Sequence, residues 1–205
     1  MKPKICIASS NEHKISEFRR MFADAHFDCE VFGVGSLDGF VPPVEDGSTF
    51  AENALIKARA ARAIAPADAF VMADDSGICV DALGGAPGIF SARYAGADGK
   101  DADKLNNRKL LAELENVPDE KRTAKFVCDI ALIAPSGETE KIFTGEIAGV
   151  INHAEAGAGG FGYDPLFYLP ERGVTTAELP PHEKNAISHR GRAFSKMVNY
   201  LKSIQ

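Results

Sequence analysis

Ala69-Phe70-Val71-Met72-Ala73-Asp74-Asp75-Ser76-Gly77 joins an apolar run to two adjacent aspartates and a Ser-Gly dipeptide. Its apolar run has the length and composition of a buried strand, and Ser76-Gly77 is a turn signal. Carboxylates at the carboxyl end of a strand lie where open α/β sheets bind their ligands. Because Asp74 and Asp75 repel each other when close, they require a shared cation, a shared proton or full solvation. A divalent metal is one interpretation, and an ordinary solvated turn is the other.

The segments on either side of this strand predict helices and strands that alternate along the chain. Further strands are predicted at residues 4–8, 29–34, 124–134, 141–151 and 166–168. Helices are predicted after the capping candidates Ser9-Ser10-Asn11 and at residues 50–65, 101–116 and 191–204. Residues 79–99 and 157–162 are predicted to be ordered, Gly-rich loops. Early β-α-β units followed by a hairpin predict an α/β fold with a mixed sheet.

Length, charge and composition exclude several classes of protein. A chain of 205 residues predicts a single domain, 1–205, with two lobes. Its net charge of −6 argues against a nucleic-acid polymer as partner, because such proteins usually carry a basic face. There is no signal-peptide segment and no apolar run of membrane-spanning length, so no membrane association and a cytoplasmic location are expected. The cysteines lack zinc or C-x-x-C spacing and are interpreted as reduced thiols: Cys6, Cys29, Cys79 and Cys128.

Two segments upstream of the strand carry groups suited to phosphate or metal. The turn from Ser9 to Lys14 would present helix N-terminal amides to an anion, with the charge of Lys14 nearby. An ordinary capped helix with a solvated lysine is the alternative. Glu45 or Asp46 could complete a carboxylate cluster with the two aspartates, or could simply complement the dipole of the next helix.

Two segments downstream carry groups suited to a nucleotide. Phe161 lies between two glycines of the loop 157–162, and Tyr163 directly follows that loop. Both would offer aromatic faces to a flat ligand. Packing of Phe161 in the core is the alternative. The segment 184–192 concentrates Lys, His and Arg at the predicted start of the last helix, where cations are electrostatically disfavoured, and this favours a ligand role for some of them.

These four features together are typical of a protein that binds a magnesium-bound nucleoside triphosphate. Over nearly its whole length the chain resembles the inosine triphosphate pyrophosphatases, which hydrolyse non-standard purine nucleoside triphosphates, and the bacterial members are most similar. The motifs that carry the resemblance are S-S-N-E-H-K at 9–14, E-D-G-S-T-F-A-E-N-A at 45–54, A-D-D-S-G at 73–77, L-G-G-A-P-G-I-F-S-A-R-Y at 83–94, G-G-F-G-Y-D-P-L-F at 159–167 and E-K-N-A-I-S-H-R-G at 183–191.

The resemblance implies an elongated two-lobed α/β fold with a mixed central sheet and flanking helices, a homodimer, and an active site in the cleft between the lobes. It implies that Asp75 is the general base and a metal ligand, that Glu45 is a second metal ligand, and that Asp74 either ligates the metal or supports it. The substrate-binding residues that it implies are Ser9, Ser10, Asn11, Glu12, His13, Lys14, Lys57, Ser76, Phe161, Gly162, Tyr163, Asp164, Lys184, His189 and Arg190.

The expected reaction is hydrolysis of ITP, dITP, XTP or dXTP to the monophosphate and pyrophosphate, with Mg²⁺ as cofactor and Mn²⁺ as a substitute. Lys14 and Lys184 would stabilise the leaving pyrophosphate. A donor from His189 or Arg190, aimed at the 6-oxo group, would select hypoxanthine or xanthine over adenine. A pyrimidine-directed pyrophosphatase, a nucleotide sensor without turnover and a protein–protein adaptor are the alternatives.

Overall fold

The computed structural model describes residues 2–97, 99 and 101–204, and for His13 the backbone alone. Seven strands form one sheet in this part of the chain, in the order β2-β1-β3-β4-β5-β6-β7. The strands are β1 (Lys4–Ile7), β2 (Glu30–Gly33), β3 (Ala69–Val80), β4 (Thr123–Ile133), β5 (Glu140–Ile151), β6 (Phe167–Leu169) and β7 (Val174–Thr175). The α-helices are α1 (Glu12–Asp24), α2 (Phe50–Arg62), α3 (Ala102–Glu113), α4 (Pro181–Ile187) and α5 (His189–Ser203).

The sheet is mixed, as the sequence predicted. β1 pairs in parallel with both β2 and β3, so that Ile5 lies opposite Val31 on one side and Phe70 on the other. β6 pairs antiparallel with β5 and with β7. The predicted hairpin joins β4 to β5, because the Ala134 N–H donates to the Thr139 carbonyl beside the turn. An α/β fold is therefore confirmed.

The strand that contains Asp74 and Asp75 is longer than predicted. β3 continues through Asp74-Asp75 and the expected turn at Ser76-Gly77, and ends only at Val80. Ile78 and Val80 are fully buried, so burial of these two side chains keeps the backbone extended where the local turn signal would have ended it. Consecutive side chains of a strand point to opposite faces, so Asp74 and Asp75 are directed apart rather than together.

Local signals placed most helix boundaries within a few residues. The Thr49 hydroxyl caps α2 by accepting from the Glu52 N–H, and the Glu52 carboxylate accepts from the Ser48 N–H. The basic segment 184–192 does not open one helix, because extended Ser188 separates α4 from α5. Lys184 therefore lies in α4, and α5 begins two residues earlier than predicted, at His189.

The chain divides into two compact units, each with its own core. The first unit comprises Met1–Asp75, Cys128–Gly145 and Arg190–Gln205, and the second comprises Ser76–Val127 and Glu146–His189. The core of the first unit includes Phe18, Phe22, Met72, Ile130 and Met197. The core of the second unit includes Ile78, Leu110, Leu114, Leu166 and Phe167.

The four cysteines are reduced thiols. Cys6 and Cys128 are buried, whereas Cys29 and Cys79 are partly exposed. Burial raises the pKa of Cys6 to about 11, so that thiol stays protonated at neutral pH. Among the described residues, no helix is long and apolar enough to cross a membrane.

Candidate active site

The turn that leads into α1 is held by its own side chains. The Asn11 N–H donates to the Ser9 hydroxyl (3.1 Å), and the Lys14 N–H donates to the Asn11 side-chain oxygen (3.3 Å). Asn11 therefore caps the helix, and Ser10 and Glu12 lie exposed beside it. The side chain of His13, predicted to bind substrate, lies outside the described part of the structure. The turn thus joins the N-terminus of α1 to a nearby lysine, a combination that suits an anion.

Asp74 is a buried carboxylate held between two cations. Its side chain is 2% exposed; Oδ1 lies 2.9 Å from Lys14 Nζ, and Oδ2 accepts from Nε and Nη2 of Arg190, each at 3.2 Å. Burial alone would raise the pKa of this carboxyl, but the charges of Lys14 and Arg190 outweigh it and lower the pKa. Arg190 also lies 3.5 Å from Glu17. Asp74 is therefore ionised and has both oxygens engaged by cations.

Asp75 belongs to a different cluster of charges. Lys57 Nζ donates to Asp75 Oδ1 (2.6 Å) and to Glu45 Oε2 (3.0 Å), so one ammonium joins two carboxylates from distant parts of the sequence. Burial raises the pKa of Asp75 and the charge of Glu45 raises it further, whereas Lys57 opposes both. Burial alone would lower the pKa of Lys57, but Asp75 and Glu45 raise it, so its ammonium stays protonated.

The carboxylate pair fits a divalent metal. Among the described residues there is no group of three or more His, Cys, Asp or Glu side chains that could hold a metal alone. Magnesium, however, is usually bound through one or two carboxylates together with substrate phosphates and water. Glu45 and Asp75 already converge on one shared cation, the ammonium of Lys57, which shows that their oxygens can serve a common positive charge.

In the second unit, the Gly-rich loop presents Phe161 to solvent. The ring is 56% exposed and so does not belong to the core. The Phe161 N–H donates to Asp164 Oδ2 (2.8 Å), and Lys184 Nζ lies 4.9 Å from the ring centroid. Gly160, at φ +73°, is required here because a Cβ would lie 2.2 Å from Asp164 Oδ2.

Asp164 and Tyr163 hold this loop rather than offer surface to a ligand. Asp164 is buried, accepts from the Thr176 hydroxyl (2.9 Å) and pairs with Lys184. The expectation that Tyr163 presents an aromatic face is wrong, because its ring is buried in the core of the second unit. Its hydroxyl donates to the Ser91 carbonyl (2.8 Å), and burial raises its pKa.

The remaining candidates, His189, Arg190 and Ser76, are buried or half-buried. His189 is buried, and its ring stacks on Phe126 with centroids 4.8 Å apart. Arg190 is buried on Asp74 rather than solvated, and Ser76 is half-buried within β3. Within the first unit the structure thus brings together Lys57 with Glu45 and Asp75, and Lys14 with Asp74 and Arg190. Within the second it brings together Phe161, Asp164 and Lys184.

Comparison with known proteins identifies the family. The sequence profile described as the Ham1 family matches residues 5–200. The chain belongs to the Ham1 family. The resemblance drawn from the motifs is thereby confirmed over nearly the whole sequence.

Curated Ham1 relatives share almost half of their residues with this chain. A protein named dITP/XTP pyrophosphatase from Listeria monocytogenes serotype 4b is 47% identical over 201 residues, which cover 98% of this chain and 96% of the relative. The protein of the same name from Geobacter sulfurreducens is 49% identical, with 97% and 96% covered. Among solved structures, the Staphylococcus aureus Ham1 protein matches with a TM-score of 0.85 and 41% identity, covering 98% of this chain and 100% of that one.

The sequence reasoning missed several residues that shape these clusters. Glu17 faces Arg190, and Thr176 holds Asp164. Asp103 and Asn107, both in α3, hydrogen-bond to Gly162 of the Gly-rich loop. Each of these contacts joins residues far apart in the chain or pairs ordinary polar residues, so no local pattern marks them.

Proposed function

We propose that this protein hydrolyses the non-standard purine nucleoside triphosphates ITP, dITP, XTP and dXTP to the monophosphate and pyrophosphate, consuming one water. Full-length identity of 47–49% to proteins named dITP/XTP pyrophosphatase carries the proposal. The charge clusters of the first unit support it, because they supply both cations for phosphate and carboxylates for a metal. Removal of deaminated purines from the nucleotide pool follows from this activity.

The triphosphate would be held by the turn and the lysines of the first unit. Amides and hydroxyls from Ser9 to Asn11 would donate to phosphate oxygens, and Lys14 would add a positive charge at the same end of α1. Lys57 would make a supporting phosphate contact. Lys184, in the second unit, would stabilise the leaving pyrophosphate.

Glu45 and Asp75 would hold a divalent cation, Mg²⁺ by the preference of hard oxygen ligands, with Mn²⁺ as a substitute. When bound, such a cation neutralises charge that develops on phosphate oxygens. Asp75 would accept a proton from the attacking water. A carboxylate whose pKa is raised, as burial raises that of Asp75, is a better proton acceptor near neutral pH than an ordinary one.

The base would stack on Phe161, with Gly162, Tyr163 and Asp164 shaping the loop that carries it. His189 or Arg190 would supply a donor to the 6-oxo group of hypoxanthine or xanthine. Adenine has an amino group at that position, which would leave the donor unpaired at a cost of about 1–3 kcal/mol. A homodimer in the cytoplasm, with no nucleic-acid polymer as partner, completes the proposal.

A substrate panel tests this function. Purified protein is assayed with ITP, dITP, XTP, dXTP, ATP, GTP, CTP and UTP in Mg²⁺, with separate detection of pyrophosphate and orthophosphate. We expect pyrophosphate from the inosine and xanthosine nucleotides, with kcat/KM roughly 5- to 150-fold above that for ATP, the factor equivalent to an unpaired donor. EDTA should abolish the activity and excess Mg²⁺ restore it.

The same panel separates the alternatives. Fastest turnover of CTP or UTP would indicate a pyrimidine-directed enzyme. Binding of ITP without pyrophosphate release would indicate a sensor. Orthophosphate as the sole phosphorus product besides the diphosphate would contradict the proposed position of cleavage.

Phe161→Ala tests the base end of the site. Base–aromatic stacking contributes about 1–3 kcal/mol, so kcat/KM for XTP should fall roughly 5- to 150-fold. Because the ring is largely exposed, the free energy of unfolding should change by no more than about 0.5 kcal/mol. Phe161→Tyr, which keeps the stacking surface, is the matched control and should retain kcat/KM. An alanine variant as active as the wild type would remove Phe161 from the site.

A further inference from the structure

Two side chains of α3 hydrogen-bond to both backbone polar groups of one residue, Gly162, in the Gly-rich loop. Asp103 Oδ2 accepts from the Gly162 N–H (2.8 Å), and Asn107 Nδ2 donates to the Gly162 carbonyl (3.2 Å). Residues four apart on a helix lie on the same face, one turn from each other. The helix therefore holds both the N–H and the C=O of Gly162, the residue that directly follows Phe161.

We propose that Asp103 and Asn107 are positioning residues that fix the ring of Phe161 for the purine base of the substrate. The proposal rests on the function proposed above. It adds to that function the residues that make an exposed aromatic ring rigid enough to stack on a base. Neither residue contacts the substrate, because both act through the backbone of the loop.

The loop needs such anchors because its ring is exposed. Phe161 has little burial to fix its position, so its backbone must be fixed instead. On one side the Phe161 N–H donates to buried Asp164 (2.8 Å). On the other side the two bonds from α3 fix Gly162, whose φ of +60° is a conformation that only glycine adopts readily. The ring is thus held from both directions along the chain.

The chemistry of Asn107 supports this role. Its side chain is buried, and its amide donates both to Gly162 and to Glu155 Oε1 (2.9 Å), at the two ends of the loop. Among the described residues, its own oxygen has no hydrogen-bond partner. Buried polar atoms are usually paired, so the unpaired acceptor is a cost that an apolar residue would avoid. The two donated bonds account for an amide at this position.

A fixed ring should act on binding more than on the chemical step. A loop that is already ordered loses less entropy when the base stacks on it, so affinity falls when the order is removed. The reacting phosphates are bound by other residues. Loss of either anchor should therefore raise KM for XTP by about tenfold and change kcat by less than about twofold, the split expected when uniform binding is removed.

A double-mutant cycle with Phe161 tests the proposal. Asn107→Ala and Asp103→Ala are each made in the wild type and in Phe161→Ala, and kcat and KM for XTP are measured for all forms. Residues that act through one contact give non-additive effects. Each anchor variant should raise KM about tenfold with Phe161 present and less than about twofold with Phe161 absent. Asp103 is exposed, so its variant should fold even if Asn107→Ala does not.

Leu110→Val is the matched control, since it weakens packing of the same helix through a side chain that makes no hydrogen bonds. It should lower the melting temperature but leave KM for XTP within about twofold. Equal losses for the anchor variants with and without Phe161, or a loss confined to kcat, would overturn the proposal. A wild type that releases no pyrophosphate from XTP would instead overturn the proposed function, so the two failures are distinguishable.

Discussion

Asp75→Asn is expected to abolish turnover while leaving nucleotide binding largely intact. The amide cannot accept a proton from water and carries no charge for a divalent cation. Positioned general bases contribute roughly 10²- to 10⁴-fold to rate, so kcat for ITP or XTP should fall by at least that factor. Lys57 retains Glu45 as an ion-pair partner, so the local structure should persist. Steady-state pyrophosphate release gives kcat, and calorimetry gives the dissociation constant.

Asp46→Asn is the matched control for this experiment. Asp46 directly follows Glu45, is exposed, and was the other acidic candidate for the carboxylate cluster. In the structure it is Glu45 that reaches Lys57 together with Asp75, so the Asp46 variant should keep wild-type kcat. Turnover within a few-fold of wild type in Asp75→Asn would remove Asp75 from the reaction. A loss of affinity with kcat unchanged would assign it to binding alone.

Local sequence patterns predicted the elements well where the decisive contacts are also local. The start of α2 at Phe50 and the helix after Asn11 depend on hydrogen bonds within four residues, and both lie where predicted. The end of β3 depends instead on burial of Ile78 and Val80 in a core built from distant segments. A turn signal such as Ser76-Gly77 is a local preference, and tertiary burial outweighed it.

Sequence patterns indicated which residues are candidates for the site, but not which of them form ion pairs with each other. The sequence places Asp74 and Asp75 side by side as one acidic pair, but in the structure each aspartate pairs with different cations. Lys57 is 18 residues from Asp75, and Arg190 is 116 residues from Asp74. No pattern within a window of the sequence specifies such pairings, because they depend on which strands lie side by side. The exposure of Phe161 and the burial of Tyr163, two residues apart, are undetermined by sequence for the same reason.

Asp74→Ala is expected to destabilise the protein strongly. The variant would remove the carboxylate that accepts from Nε and Nη2 of buried Arg190, with Glu17 3.5 Å from the same guanidinium. Removal of one member of a buried ion pair typically costs about 3–5 kcal/mol, because an uncompensated charge remains in a medium of low polarity. Denaturant unfolding followed by circular dichroism measures the change in the free energy of unfolding.

Two further variants test whether the loss of stability comes from burying Arg190 without the carboxylate of Asp74. Lys14→Met should cost less, because Lys14 is 28% exposed and Asp74 keeps Arg190 as a partner. Adding Arg190→Met to Asp74→Ala should restore part of the lost stability, since the buried charge of the guanidinium is then removed as well. If the double variant were less stable than Asp74→Ala by the full cost of a second mutation, the two residues would be energetically independent.

A second substitution of Asp74 tests whether Asp74 and Asp75 have different roles. Asp74→Asn keeps the shape of the side chain and removes its charge, so it should lower the free energy of unfolding without a matching loss of kcat in the folded fraction. A ligand to the metal would show the opposite pattern, with kcat lost and stability kept. Because both oxygens of Asp74 are engaged by Lys14 and Arg190, we expect the first result. That result would assign Asp74 to stabilising the strand and would leave the proposed proton transfer to Asp75, one residue further on.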